Sequence, residues 1–281
     1  MAEGRLVEFV KAHGTGNDFV VVEDLADRWR LTPELVRAVC DRHFGVGADG
    51  LIRIAPGTSA PFFMDYRNAD GSLAEMCGNG VRVVAKYLGD RGYVGSAFEL
   101  ETRAGVKHLE LHADDHGQID RVTADMGAPE LEEGERRLEV EGRVVTATCL
   151  SMGNPHAVVF VDDVDAAPVT TLGPLLETHP AFPGRTNVEF AQVVDAASVR
   201  QRTWERGVGE TLACGTGACA VAVAAQVRGL AGRAVVIELR GGRLELDWTP
   251  GGTVRMTGPA REVAHGTLAP DLLAGLAPAR A

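Results

Sequence analysis

The chain has 281 residues, room for two domains of ordinary size, and its 45% hydrophobic and 24% charged content fits a globular protein rather than a disordered or fibrous one. Its 28 basic and 39 acidic residues leave a net charge of −11, and the arginines are scattered among acids rather than gathered into a stripe, so nucleic acid is not an expected partner. The longest apolar stretch, Ala218 to Ala225, is too short to span a bilayer, and MAEGRLVEFVKAHG carries Glu3 and no apolar core, so neither a membrane role nor secretion is expected and a cytoplasmic location is.

In chain order, short strands rich in Val, Ile and Phe are predicted at Leu6 to Lys11 and Phe19 to Val22. A helix follows from Pro33 to Arg42, with Thr32 as its N-cap and Pro33 at its first position. Further strands fall at Leu51 to Ile54 and Phe62 to Tyr66. A second helix starts after Cys77, where Val81, Val84, Ala85 and Leu88 recur at helical spacing, and ends near Gly89. Beyond the acidic turn GAPELEEGE, strands are predicted at Arg143 to Thr146, Ala157 to Val161, Val188 to Val194 and Val199 to Glu205. A helix apolar almost all round, Ala218 to Val227, precedes strands at Ala234 to Leu239, Arg243 to Trp248 and Thr253 to Thr257.

An internal repeat organises these elements. CGNGV begins at Cys77 and CGTGA at Cys214, 137 residues later; the same shift lays Gly16-Asn17 on Gly153-Asn154 and Val20-Val21-Val22 on Ala157-Val158-Val159. In both halves the Asn precedes the Cys by 60 residues. The expected fold is therefore α+β, with two pseudo-symmetric domains, 1–125 and 126–281, each a curved antiparallel sheet wrapped around a central hydrophobic helix. The boundary falls between about Gln118 and Gly134, and the extreme C-terminus is expected to pack back on the first half.

Each Cys-Gly-polar-Gly sits where a buried helix begins. Unpaired N–H groups and the positive end of the helix dipole stabilise a thiolate there, and the glycines let a ligand carboxylate approach the same N–H groups. Two such ends facing one carbon would let one thiolate remove a proton from one face while a thiol delivers one to the other, as inversion of configuration requires. Other readings stay open. Lone buried cysteines are common as small hydrophobes, and two close thiols are also a redox pair. Five cysteines, Cys40, Cys77, Cys149, Cys214 and Cys219, form an odd count without paired CxxC units, against a disulfide framework and a metal site; a Walker-type phosphate loop is missing too.

The segments HGTGNDF, YRNADGS, GNPH, RTNVEF and WERGVGET place Asn17, Asn68, Asn154, Asn187 and the adjacent Glu205-Arg206 at strand ends or turns. Asn in turns is ordinary turn chemistry, and His156 is as readily a satisfied surface histidine as a functional one. Arg forks a carboxylate and Asn or Glu holds an ammonium, so together these residues suggest a zwitterionic amino-acid ligand.

With HGTGNDFVVV, FGVGADG, RNADGSLAEMCGNGVR, GNPH, RTNVEF and WERGVGETLACGTGACA in this order, the chain resembles the diaminopimelate epimerase family from about Val7 to about Gly258. The resemblance implies the doubled fold of that family and a PLP-independent, cofactor-free and metal-free isomerase. It implies conversion of LL-2,6-diaminoheptanedioate to the meso form, for lysine and peptidoglycan synthesis, by a cytoplasmic homodimer. Cys77 and Cys214 would be the two acid/base residues, and His156 and Glu205 would tune the thiols. The turns Gly78-Asn79 and Gly215-Thr216 would hold the reacting α-carboxylate; Asn17, Asn68, Asn154, Asn187, Glu205 and Arg206 would hold the rest. Where some members carry Asp-Gln, this chain has Asp49-Gly50, and the contact of that Gln has no counterpart. Proline, hydroxyproline and histidine racemases and PhzF-like isomerases are wider relatives, from which Glu205-Arg206 separates this chain. A racemase of another amino acid and a non-catalytic amino-acid-binding or thiol redox protein are the alternatives.

Overall fold

A computed structural model describes residues 7–74, 76–273 and 277–278, so Leu6, the expected first residue of the first strand, lies outside the described residues. The chain divides into two compact units, Met1–Ala124 together with Pro259–Ala281, and Asp125–Gly258. The opening elements are β1 (Val7–Gly14), β2 (Asn17–Glu23), β3 (Trp29–Arg30), α1 (Pro33–Cys40), β4 (Gly50–Pro56), β5 (Phe62–Asn68), α2 (Gly78–Asp90), β6 (Ala97–Thr102), β7 (Gly105–Ala113) and β8 (Ile119–Asp125). There follow β9 (Glu130–Leu131), β10 (Arg136–Val140), β11 (Arg143–Ser151), β12 (Pro155–Phe160), α3 (Val169–Glu177), β13 (Asn187–Asp195), β14 (Ser198–Glu205), β15 (Gly209–Thr211), α4 (Gly215–Val227), β16 (Ala234–Leu239), β17 (Gly242–Trp248) and β18 (Val254–Pro259). The chain closes with β19 (Arg261–Leu268), α5 (Pro270–Leu273) and β20 (Ala277–Pro278), the last paired with β3.

In the first unit the strands lie in the order β19, β1, β2, β4, β5, β6, β7, β8. In the second the order is β10, β11, β12, β13, β14, β16, β17, β18, with β9 beside β11 and β15 beside β14. The two orders correspond strand for strand, including direction. The sheets are mixed rather than wholly antiparallel: β2/β4 and β5/β6 are parallel, as are β12/β13 and β14/β16. Each parallel pair is joined across a helix, α1, α2, α3 or α4 in turn, because parallel neighbours need a crossover that a hairpin turn cannot supply.

Strand alternation assigns the two faces of each sheet. In the first unit Val20, Val22 and Leu51 pack with Leu35, Val36 and Val39 of α1, while the intervening Phe19, Val21 and Ile52 turn to the opposite face and are equally buried. That face holds α2, which touches β1 and β19 at one end of the sheet and β7 towards the other, so the sheet curls around it. Residues Gly78 through Leu88 are all buried, including the polar Asn79, Arg82 and Lys86. The second unit repeats the plan, with α3 on Cys149, Ala157, Val159, Val188 and Phe190, and α4 wrapped by β11 through β17.

Several boundaries differ from expectation for local reasons. Helix α1 begins as expected, the Thr32 hydroxyl accepting the Leu35 N–H at 3.2 Å, but stops at Cys40, two residues before Arg42, because the Asp41 carboxylate takes the N–H groups of His43 and Phe44 at 2.8 Å each. Helix α4 starts at Gly215, three residues before Ala218, and β18 starts one residue after Thr253. Helix α3 was not anticipated. Its sequence, VTTLGPLLE, has Gly173 and Pro174 inside; the glycine admits the Trp204 ring, whose indole N–H donates to Glu177 at 2.7 Å. The strands β6, β7, β8, β10 and β19 also lacked the Val/Ile/Phe richness that marked the others, since much of each lies half-buried or exposed. Leu88 is fully buried on α2, so Leu88→Ala is expected to lower unfolding free energy by about 2–5 kcal/mol. Urea denaturation measures this, and a loss well under the lower bound would mean that α2 is not the centre of its unit's core.

Candidate active site

The cysteines of both quoted motifs are helix N-caps. Cys77 has φ −139 and ψ 116, and its Sγ accepts the Gly80 N–H at 3.4 Å; Cys214 has φ −117 and ψ 113, and its Sγ accepts the Gly217 N–H at 3.3 Å. Sulfur thus does what a serine or aspartate oxygen does at most helix starts, satisfying one of the N–H groups that lack a partner in the helix. The 60-residue spacing is explained by contact. In the first unit the Cys77 thiol donates to Asn17 Oδ1 at 3.5 Å, and Asn79 Nδ2 donates to the same oxygen at 3.2 Å. In the second, Asn154 Nδ2 donates to Thr216 Oγ1 at 3.3 Å, and that hydroxyl lies 3.6 Å from the Cys214 sulfur.

The first half-site is braced by charge. Asn17 Nδ2 donates to Asp49 at 2.9 Å, and Arg42 bridges Asp49 and Asp18. Burial alone would raise the Asp18 carboxyl, but Arg42 and Lys11 hold it far below the carboxylate range. Arg82 is fully buried one turn into α2 and donates to Gly78 O at 3.1 Å, Asn79 Oδ1 at 2.7 Å, Thr15 Oγ1 at 3.2 Å and Pro259 O at 3.3 Å, clamping the glycine turn from behind. Asn68 ends β5 opposite Gly50 and donates to Ser72 at 3.0 Å. A Cβ at Gly50 would come within 2.5 Å of both the Arg67 carbonyl and the Tyr66 ring, so in this chain the Tyr66 ring fills the space that a Gln side chain there would enter.

In the second unit His156 is buried rather than on the surface, its Nδ1 2.8 Å from Glu189 Oε1 and its Nε2 3.1 Å from Asn154 Oδ1. Glu205 Oε1 accepts from the Thr211 hydroxyl at 2.5 Å. Asn187 has a structural duty, donating to Pro155 O and accepting the Arg206 backbone N–H, both at 2.9 Å. The Arg206 guanidinium is exposed and donates to Gly184 O at 3.2 Å. Burial pushes the Cys214 thiol well above its ordinary range, and the carboxylates of Glu205 and Glu189 push it further; Thr216 and the Gly217 N–H act in the opposite sense without prevailing. At Cys214, then, burial outweighs the thiolate stabilisation expected of a helix start. Cys40 and Cys149 are buried thiols pushed up to about 12, chiefly by burial, and Cys219 is buried on α4.

Cys77, Gly78, Asn79 and Asn17 therefore meet in the first unit, and Cys214, Gly215, Thr216, Asn154 and His156 in the second. Asp49, Arg82, Glu189 and Gln201 escaped the sequence reading. Arg82 was detectable as a charge set among the apolar residues of its helix, whereas Glu189 alternates with Val188 and Phe190 along its strand. Among the described residues, no three His, Cys, Asp or Glu side chains are grouped to hold a metal ion, and no helix is long and apolar enough to cross a membrane.

The family model described as diaminopimelate epimerase matches residues 9–132 and 148–263. The chain belongs to that family. It is 49% identical to the diaminopimelate epimerase of Pelotomaculum thermopropionicum over 277 residues, covering 92% of this chain and 98% of the relative. It is 46% identical to that of Leptospira biflexa over 274 residues, with the same coverage. A hydroxyproline epimerase from Agrobacterium vitis, solved with trans-4-hydroxy-L-proline bound, shares the fold over 95% of this chain and 94% of its own, with a TM-score of 0.71 at 17% identity.

Two outcomes follow from the caps. A Cβ at Gly217 would lie 2.7 Å from Glu189 Oε1 and 3.2 Å from the Cys214 sulfur, whereas one at Gly80 would meet the flexible end of Ile52 at 3.2 Å. Gly217→Ala should therefore cost about 1–3 kcal/mol and Gly80→Ala less, as urea denaturation will read; equal costs would contradict the packing. In ligand-free protein, iodoacetamide alkylation of Cys214 should keep climbing above pH 9.0, because the raised thiol yields its thiolate only there. A plateau near neutrality would show that burial does not govern this sulfur.

Proposed function

We propose that this protein epimerises LL-2,6-diaminoheptanedioate to the meso form with Cys77 and Cys214 as its two acid/base groups. Membership of the family supports the substrate, and one observation supports the assignment of the bases: in each unit a cysteine caps a buried helix beside the Asn that lies 60 residues before it. On this reading one sulfur, as thiolate, takes the proton from the α-carbon while the other, as thiol, delivers its proton to the opposite face. The C–H bond that breaks and the one that forms share that carbon, and the protons end exchanged between the sulfurs. No cofactor is needed to hold the electrons. The α-carboxylate receives the charge that develops, and the backbone N–H groups at the starts of α2 and α4, in the Gly78-Asn79 and Gly215-Thr216 turns, are the donors suited to it.

Around this centre, Asn17, Asn154, Asn68 and Asn187 shape the amino-acid pocket, with Asn187 acting through the Arg206 backbone it holds. The exposed Arg206 guanidinium suits a second, distal carboxylate, and His156 and Glu205 set the charge around Cys214. Each half of the chain, 1–125 and 126–281, supplies one half-site. The family resemblance extends the reading to a homodimer in the cytoplasm, where five free thiols stay reduced, and to a place in lysine and peptidoglycan precursor synthesis.

The test is solvent exchange. Reduced enzyme with LL-diaminopimelate in heavy water, without added PLP, should place deuterium on the product α-carbon, and Cys77→Ser and Cys214→Ser should each cut turnover by about three orders of magnitude or more. Epimerisation at near wild-type rate by either variant would remove the two-base assignment. Exchange with proline or histidine but not diaminopimelate would make the protein a racemase of another amino acid.

A further inference from the structure

The shift of 137 residues that pairs the two cysteines also pairs the side chains beneath them, and there the two units part company. Beneath Cys77 the inward-facing residues are Phe19, Ile52 and Met64, each at most 1% exposed and wholly apolar apart from the methionine sulfur. The same shift maps them onto His156, Glu189 and Gln201, which are 1%, 0% and 2% exposed. The correspondence is spatial as well as numerical. The point where a Cβ of Gly80 would sit is ringed by Ile52 Cδ1, Cys77 Cβ and Met64 Sδ at 3.2, 3.4 and 3.6 Å, and that of Gly217 by Glu189 Oε1, Cys214 Sγ and Gln201 Nε2 at 2.7, 3.2 and 3.2 Å. The fold evidently does not require polar groups at these positions, since one unit packs its helix start on hydrocarbon. Burying a carboxylate, an imidazole and a carboxamide in the other is a cost that packing alone would not retain.

The polar trio leads to the sulfur by hydrogen bonds. Glu189 Oε1 holds His156 Nδ1 at 2.8 Å, His156 Nε2 holds Asn154 Oδ1 at 3.1 Å, and Asn154 Nδ2 donates to Thr216 Oγ1 at 3.3 Å, which lies 3.6 Å from Cys214 Sγ. With the Asn154 amide facing this way, the two imidazole nitrogens face Glu189 Oε1 and Asn154 Oδ1, so the ring is held between them. Gln201 donates to Thr203 at 2.8 Å, and Glu189 Oε2 and Gln201 Oε1 have no hydrogen-bond partner, so the trio is not a closed structural network.

We propose that Glu189 is a positioning residue of the Cys214 half-site, acting through His156 and Asn154 to hold Thr216 at the sulfur, and that it makes the two half-sites chemically unequal. The proposal rests on the reading of Cys214 as an acid/base group. The titratable groups whose charge reaches Cys214 are Glu189 and Glu205, and both disfavour its anion.

The experiment uses the full chain with Glu189→Gln, which keeps the shape and removes the charge. Alkylation of Cys214 by iodoacetamide, followed by peptide mass spectrometry in a Cys77→Ser background, should shift to lower pH in E189Q, while Cys77 alkylation in a Cys214→Ser background should not move. In the otherwise wild-type chain, turnover of diaminopimelate should fall about tenfold or more, as when a partner that orients a functional histidine is lost. An unchanged Cys214 profile, or an equal shift at Cys77, overturns the proposal. So does failure of E189Q to fold by circular dichroism, which would make the carboxylate a requirement of the scaffold. The alkylation contrast needs no substrate, so it stands or falls apart from the epimerase reading, which fails instead if the wild-type chain exchanges no deuterium.

Discussion

A helix that begins inside a protein must give its first backbone N–H groups to something, and here a cysteine sulfur takes one of them at the start of α2 and again at the start of α4. Much of each half-site follows from that constraint. The sulfur reaches an N–H three residues on only if its residue stays extended at the cap, which fixes where it stands relative to the turn. The turn must then be narrow, because sheet side chains crowd within 3.2 Å of where a third-position Cβ would be. The remaining polar position of each motif, Asn79 or Thr216, is left to meet the Asn carried in from β2 or from the turn before β12.

The two units keep this geometry by different means. In the first, Arg82 reaches back from α2 itself and ties Gly78 and Asn79 to Thr15, on an apolar floor. In the second, the position corresponding to Arg82 is Cys219, buried and with no long side chain to reach back, and the bracing comes up from the sheet through Glu189 and His156. A duplicated backbone has thus been given an apolar floor with a cationic clamp in one copy and a polar floor in the other. Both hold a glycine turn still, and the second puts the Glu189 carboxylate beneath the thiol where the first has Ile52.

What was legible in the sequence was what repeats or punctuates. Cys77 and Cys214, Asn17 and Asn154, and the Thr32 cap of α1 each announce a local geometry that tertiary contacts then use unchanged. Strand direction was not legible, since the alternation of β2 or β14 reads the same whether its neighbour is parallel or antiparallel; only the intervening helix decides, and α3 was hidden behind Gly173 and Pro174. Glu189 was overlooked for a related reason. An acid within RTNVEF reads as a solvent-facing residue of a half-buried strand, and its burial depends on His156, which lies 33 residues away in sequence and one strand away in the sheet. Asn187, expected to hold ligand, also has both ends of its amide engaged by the backbone of its own unit, a duty that the residue type alone does not announce.

The unequal floors bear on what a two-base enzyme can and cannot do. Whatever surrounds the sulfurs, the equilibrium between two epimers belongs to the epimers, and no arrangement of carboxylates alters it. What the surroundings set is where protons rest when the site is empty. A thiol buried beside Glu189 and Glu205 keeps its proton at neutral pH, so on the proposed reading the free enzyme stands with Cys214 ready to donate. After a turnover that consumes this proton, the site holds the opposite arrangement and must return before it can accept the same isomer again. A carboxylate bound at the α4 start would bring a further negative charge beside the sulfur and deepen the preference for the thiol there. The substrate ammonium would oppose that preference. Proton placement in the loaded site is then a balance of neighbouring charges, and the polar floor biases it on one side only.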